Sequence, residues 1–354
     1  MSFIHFADPA NAVSVSFPGL GLDFSLSREA IFIGPLTVYW YGIIVVTGIA
    51  LGVAYAIWRA GQFGLNRDKY SDVLIYSIMF SLVGARTYYV AFSWDYYKDH
   101  LDEIVKIWNG GIAFYGGVIA ALLCAYLLCR LWKVSFIRGT DAALGGVLLG
   151  QSIGRWGNFM NVEAFGGYYE GVFRMISPAV DSYFYSHPDK LPGFTPEQVW
   201  AMSDIPVHPT FLYESVCTML GFLFIVWYTK RRRFTGELTL LYFFINGFER
   251  MLIEGLRTDS LTAGSIRVSQ MLAFAMVVCS AAAWVYFTSK VKKGTAPAWC
   301  SLEIPVEEAA EQEISEESAE SEENAEIAEE NPDFAEQNEG ETEEETAEID
   351  NNEN

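Results

Sequence analysis

Gly154-Arg155-Trp156-Gly157-Asn158-Phe159-Met160-Asn161-Val162-Glu163 puts a guanidinium, two carboxamides and a carboxylate at the end of an apolar stretch. A charge at membrane depth costs at least ~2.5–3.5 kcal/mol on insertion scales, so one that is kept has a task. A cation among glycines and carboxamides suits holding a phosphate and polarising a group beside it.

The surrounding chain is that of a membrane protein. Of its 354 residues 51% are hydrophobic, and its mean hydropathy is +0.19. Seven apolar segments have the roughly 20 residues a bilayer span requires: 36–58, 71–92, 112–132, 139–159, 209–229, 236–256 and 268–288. Asp141, Gln151 and Arg155 dilute the fourth. The fold class expected is therefore an all-α polytopic membrane protein. Seven transmembrane helices carry a small extracytoplasmic cap at 160–208, which is rich in Gly, Pro, Tyr and Phe.

Lysine and arginine in short loops set orientation. Thirteen fall on one side: Arg59, Arg67 and Lys69; Arg130, Lys133 and Arg138; Lys230 to Arg233; and Lys290, Lys292 and Lys293. The opposite loops hold Lys98, Lys106, Arg174, Lys190, Arg257 and Arg267. The first side is read as cytoplasmic, so residues 1–35 and the cap face outward. The domain reading is an extracytoplasmic 1–35, a catalytic membrane domain 36–293 and a tail 294–354.

The net charge of −21 describes that tail. Residues 301–354 hold 23 of the 44 acidic residues and no basic one, leaving 21 acidic against 23 basic residues in the body. A segment so charged and so poor in aromatics cannot offset its chain entropy and is expected to be disordered. No basic stripe suggests nucleic acid. Cys124, Cys129, Cys217, Cys279 and Cys300 lack metal spacing and read as small core residues. The N-terminus has no basic start before Arg28 and carries Pro9 and Pro18, unlike a cleavable signal peptide.

On this topology the polar residues gather at the outer side. Arg155, Asn158 and Asn161 close the fourth span, and Arg86 lies near the outer end of the second. The third begins with Asn109-Gly110-Gly111-Ile112-Ala113-Phe114-Tyr115-Gly116-Gly117 and the fifth with His208-Pro209-Thr210-Phe211-Leu212-Tyr213-Glu214. Arg250, Glu254 and Arg257, spaced i, i+4, i+7, are expected to share one helix face. Two cations and one carboxylate leave that stripe net positive, which favours an anionic ligand over a structural ion pair. Gly146 and Gly150 read as a helix-packing stripe. Gly154 and Gly157 flank Arg155, where they could also bring backbone N–H groups to an anion. Tyr39, Trp40 and Tyr41 fit an interfacial belt.

Taken together, these motifs resemble the prolipoprotein diacylglyceryl transferase family over residues 36–260, with 154–163 as the signature. Supporting stretches are Tyr39-Trp40-Tyr41-Gly42, Gly84-Ala85-Arg86, 109–117, 208–214 and the Arg250/Glu254/Arg257 set. The resemblance implies a bacterial enzyme of the cytoplasmic membrane with its active site at the outer leaflet. It implies transfer of the diacylglyceryl group of phosphatidylglycerol to the lipobox cysteine of a prolipoprotein signal peptide. A thioether forms, glycerol-1-phosphate leaves, and no metal or other cofactor is required. Arg155 is then a phosphate contact, with Asn158, Asn161, Arg86, Arg257, Tyr41 and Gly154 about the lipid. Arg250, Glu254 and Glu163 are catalytic. Many members have a histidine where this chain has Tyr115. A tyrosine of pKa ≈ 10 is a poor base, so Tyr115 is expected to orient substrate while Glu254 or Glu163 takes the thiol proton. A monomer is expected. The competing classes are a small-anion transporter or channel and a scaffold acting through the tail. A transporter needs a polar path through the bilayer, yet 123–128 and 221–227 offer only Tyr126.

Overall fold

A computed structural model describes residues 4–6, 12–34, 36–257, 262–263 and 266–302. The acidic segment 303–354, expected to be disordered, lies outside the described residues. Helices dominate: α1 (Trp40–Ala60), α2 (Arg67–Phe92), α3 (Trp94–Tyr97), α4 (Phe114–Leu131), α5 (Phe136–Asn161), α6 (Pro178–Ser186), α7 (Pro196–Ala201), α8 (Thr210–Thr229), α9 (Glu237–Ile253) and α10 (Val268–Lys292). Among the described residues, five segments are long and apolar enough to cross a membrane: Trp40–Phe63, Arg67–Phe92, Phe114–Leu131, Thr210–Thr229 and Ser269–Lys292. The two remaining long helices fall short by composition or length. α5 has 26 residues but carries Arg138, Asp141, Gln151 and Arg155, and α9 has only 17. Both are packed among other helices, where polar side chains find partners. Asn246 donates to Gln151 (3.1 Å) and Gln151 to the Tyr242 hydroxyl (3.4 Å).

Helix α5 is the central element, packed on α1, α8 and α9, while α2 and α4 form a pair beside them. Glycine sets the closest approaches. Gly48 and Gly52 of α1 face Gly150 and Gly146 of α5 backbone to backbone. A Cβ at Gly52 would lie 2.6 Å from the Gly146 carbonyl oxygen, and one at Gly48 would lie 3.0 Å from that of Gly150. Gly154, next along the same stripe, has nothing within 4 Å of its would-be Cβ, so there α5 borders open space. Gly146→Leu should force α1 off α5 and cost about 1–3 kcal/mol by overpacking. Gly154→Ala should leave stability unchanged or raised by up to ~1 kcal/mol through helix propensity. Thermal unfolding in detergent checks the pair; equal losses at both positions would refute the assignment.

An unanticipated β element precedes the bundle. Strands β1 (Ile4–Phe6), β4 (Glu29–Ile33) and β5 (Leu36–Tyr39) form one antiparallel sheet, and β2 (Val13–Phe17) with β3 (Leu22–Leu26) forms a hairpin. The alternation Val13, Val15, Phe17 buries one face of the hairpin against residues 160–208. Val15, Val180, Phe184, Val199, Ile205 and Val207 are all 0% exposed. A Ser16–Ile176 bridge closes the join. Residues 160–208 are thus a folded unit with its own core, stapled by a Thr195/Gln198 capping box on α7. Short strands β6 (Thr262–Ala263) and β7 (Ile266–Arg267) lead into α10. The ordered body continues past 293. Thr235 N donates to the Cys300 carbonyl (3.0 Å), and Trp299 packs edge-on against Phe287.

Candidate active site

The end of the bundle where α5 and α9 finish and α8 begins holds a carboxylate ringed by arginines. Glu214, in the second turn of α8, is 1% exposed. Arg155 Nε lies 2.5 Å from its Oε2. Arg257 Nη1 donates to its Oε1 at 2.9 Å, and Arg250 Nη1 stands 3.9 Å from the same oxygen. Three guanidinium groups outnumber the buried carboxylate they surround, an excess of positive charge that an anion would offset. Serine and tryptophan fix the α5–α8 contact: Ser152 Oγ donates to the Ser215 carbonyl (2.8 Å) and Trp156 Nε1 to Ser215 Oγ (3.1 Å).

The last turn of α5 carries the second group. Val162 adopts φ +52° and Ala164 φ +54°. The left-handed region is rare for a β-branched residue and costs about 1–2 kcal/mol. Burial of Val162 in the core of the 160–208 unit holds it there. The resulting reversal folds Glu163 back onto the helix end. Its Oε1 accepts from Asn158 Nδ2 (2.8 Å) and Asn161 Nδ2 (3.3 Å), and Arg28 donates to the Asn161 carbonyl (3.0 Å). Glu163 and Asn161 line a cleft of about 770 Å³ together with Arg28, Tyr39, Tyr41 and Tyr183. The Tyr41 ring lies against Gly157, where a Cβ would be 3.0 Å from Cδ2. Arg155 of the arginine cluster and this carboxamide group therefore occupy the last two turns of α5.

Several expectations change. The Arg250/Glu254/Arg257 face does not exist as one helical stripe, because α9 ends at Ile253 and a turn follows. Arg257 swings to Glu214 and bridges Gly166 through its backbone. Glu254 instead accepts from Ser269 Oγ at the start of α10 (2.6 Å). Arg86 is no free phosphate ligand. Its guanidinium donates to the carbonyls of Ile104 (2.8 Å), Gly110 (2.7 Å), Gly111 (2.8 Å) and Glu103 (2.7 Å). It clamps the loop before α4, where Gly110 (φ +85°) and Gly111 (φ +76°) need left-handed backbone. Arg86→Lys cannot reproduce that fork. It should lower the melting temperature of the protein as well as its activity, whereas a pure ligand would lower activity alone. Tyr115, in the first turn of α4, is 56% exposed, with its ring edge-on to Phe114. Among the described residues, no hydrogen bond ties it to the arginine cluster. His208 stacks on Tyr169 (4.0 Å), and burial lowers its pKa below the usual histidine value.

Glu214 was quoted in the 208–214 motif but not foreseen as the hub. Its signal was the same as that of Arg155: a charge inside an apolar segment. Glu249 was not singled out at all. It is 5% exposed, and its Oε1 is buried without a hydrogen-bond partner.

Comparison with known proteins supplies a context for this geometry. A profile of the prolipoprotein diacylglyceryl transferase family matches residues 28–286. The chain is 36% identical over 271 residues to a phosphatidylglycerol–prolipoprotein diacylglyceryl transferase of Finegoldia magna, covering 76% of this chain and 98% of that protein. It is 38% identical over 266 residues to the protein of the same description from Geobacillus kaustophilus, covering 75% and 94%. To that from Listeria monocytogenes serovar 1/2a it is 41% identical over 263 residues, covering 74% and 90%.

Proposed function

The chain belongs to the prolipoprotein diacylglyceryl transferase family, and from that premise we propose the reaction and the part each residue takes in it. The protein is a multi-pass membrane transferase. It moves the diacylglyceryl group of phosphatidylglycerol to the thiol of a prolipoprotein's lipobox cysteine, the first step of lipoprotein maturation. A carbon–sulfur bond forms, the ester bond to phosphate breaks, and glycerol-1-phosphate leaves.

The observation that carries the site assignment is the set of three guanidinium groups on the buried Glu214. Arg155, Arg250 and Arg257 hold the phosphate and stabilise the charge that grows on the leaving group. Asn158, Asn161 and Glu163 hydrogen-bond the glycerol head, and Tyr41 walls the cleft. Gly154 leaves the space the lipid uses. Tyr115, on the uncovered face of α4, orients substrate. Seven helices span the membrane, α5 and α9 among them, with polar groups such as Gln151, Tyr242 and Asn246 paired inside the protein. The folded unit at 160–208 is an extracytoplasmic cap, with the N-terminus on the same side and the acidic tail in the cytoplasm, following the lysine and arginine bias. The protein acts as a monomer. A small-anion transporter is not favoured, because the relatives are transferases by description.

Purified protein, phosphatidylglycerol and a lipobox peptide test this directly. Mass spectrometry should find a diacylglyceryl adduct on the cysteine. Folded protein that forms none would overturn the reading.

A further inference from the structure

Thiol transfer needs a group to accept the sulfur-bound proton, and Glu163, Glu214, Glu249 and Glu254 are carboxylates on or beside the ends of α5, α8 and α9. Three of them already have partners. Glu163 accepts from two carboxamides, Glu254 accepts from Ser269, and Glu214 is ion-paired to arginine. Glu249 differs. It sits on α9 beside Arg250 and is nineteen-twentieths buried, and its Oε1 has no hydrogen-bond donor. Among the described residues no cation stands within ion-pair distance of it. Buried and without a donor on Oε1, its carboxylate has an acceptor position that no protein group fills. It lies within electrostatic range of Glu214, Arg250, Arg155 and Arg257, so it belongs to the same charged site.

Cys217 of α8, uncovered by protein, is within electrostatic range of both Glu249 and Glu214.

We propose that Glu249 is a catalytic residue of this enzyme, the general base that deprotonates the substrate cysteine. This rests on the transferase reading above. The cysteine S–H proton passes to a Glu249 carboxylate oxygen. The sulfur lone pair attacks the glycerol carbon that bears the phosphate and forms the C–S bond. The C–O bond to phosphate breaks, its electron pair staying on the phosphate oxygen that the arginines hold. The proton leaves Glu249 with the released phosphomonoester, which restores the carboxylate.

The test compares lipobox peptides carrying cysteine or selenocysteine, with wild-type protein and E249Q, in detergent containing phosphatidylglycerol. A selenol is ionised at neutral pH without help from a base. E249Q should lose ~100-fold or more in turnover of the thiol peptide, the usual scale of general-base catalysis. With the selenol peptide it should stay within about tenfold of wild type. Equal losses on both peptides would assign Glu249 a structural role, and no loss on the thiol peptide would remove it from the reaction; either overturns the proposal. If E249Q does not purify folded, E249D carries the same comparison. Its shorter carboxylate withdraws from the sulfur, so thiol turnover should fall at least tenfold and selenol turnover should hold; a uniform loss overturns the proposal again. Wild-type protein that forms no adduct with either peptide would instead refute the transferase reading.

Discussion

Glu214→Ala should abolish diacylglyceryl transfer and destabilise the protein by about 3–5 kcal/mol, the cost of stripping a buried charge cluster of its counter-ion. With the carboxylate gone, Arg155 and Arg257 lose partners at 2.5 and 2.9 Å. Their charges then face each other and Arg250 in low dielectric. Glu214→Gln keeps the shape and removes only the charge, so it should be nearly as harmful to activity. Adding Arg257→Ala to the Glu214→Ala protein removes one of the stranded cations. It should recover part of the melting temperature without recovering transfer, because the site then lacks a phosphate ligand as well. Thermal unfolding and the adduct assay read the two effects separately. A Glu214→Gln protein with near-normal transfer would mean that the arginines organise themselves without the carboxylate.

That Glu214 had to be found in three dimensions shows where sequence reading stopped. Helices bordering lipid are mostly apolar, so α1, α4 and α10 were visible as long apolar runs, and α2 and α8 as runs broken by Arg86 and Glu214 within their apolar stretches. α5 and α9 are covered by protein and tolerate Asp141, Gln151, Glu249 and Arg250, which blurs the same signal. Glycine spacing did announce the α1–α5 contact, since a Gly146/Gly150 stripe has few uses besides close approach. Ion pairing was harder. Spacing along one helix suggests i, i+4 partners, and Arg250 with Glu254 met that rule. Glu254 caps α9 in helical geometry, one turn on from Arg250, yet its carboxylate accepts from Ser269 while Arg250 turns to Glu214. The true partners, Arg155 and Glu214, are 59 positions apart, and no local pattern links them. Arg86 failed as a ligand for a related reason: the carbonyls it satisfies belong to a loop 17 to 25 residues on. A buried guanidinium will take whichever acceptors the chain brings to it.

Arg155→Lys carries the other large effect and asks what kind of cation the phosphate needs. The side chain is 18% exposed and forms an ion pair with Glu214 on its Nε side. That leaves its terminal nitrogens for a second acceptor, an arrangement a planar guanidinium can meet and a single ammonium cannot. Lysine keeps the charge, so the protein should insert, purify and unfold close to the wild-type temperature. Transfer should nevertheless fall ~100-fold or more, which corresponds to about 2.7 kcal/mol of lost transition-state stabilisation. The loss should appear mainly in kcat, because the bond to the leaving phosphate strengthens as charge develops there. A KM effect alone would make Arg155 a ground-state anchor. Undiminished turnover would show that charge suffices at this position, and the assignment of its fork to the phosphate would have to be withdrawn.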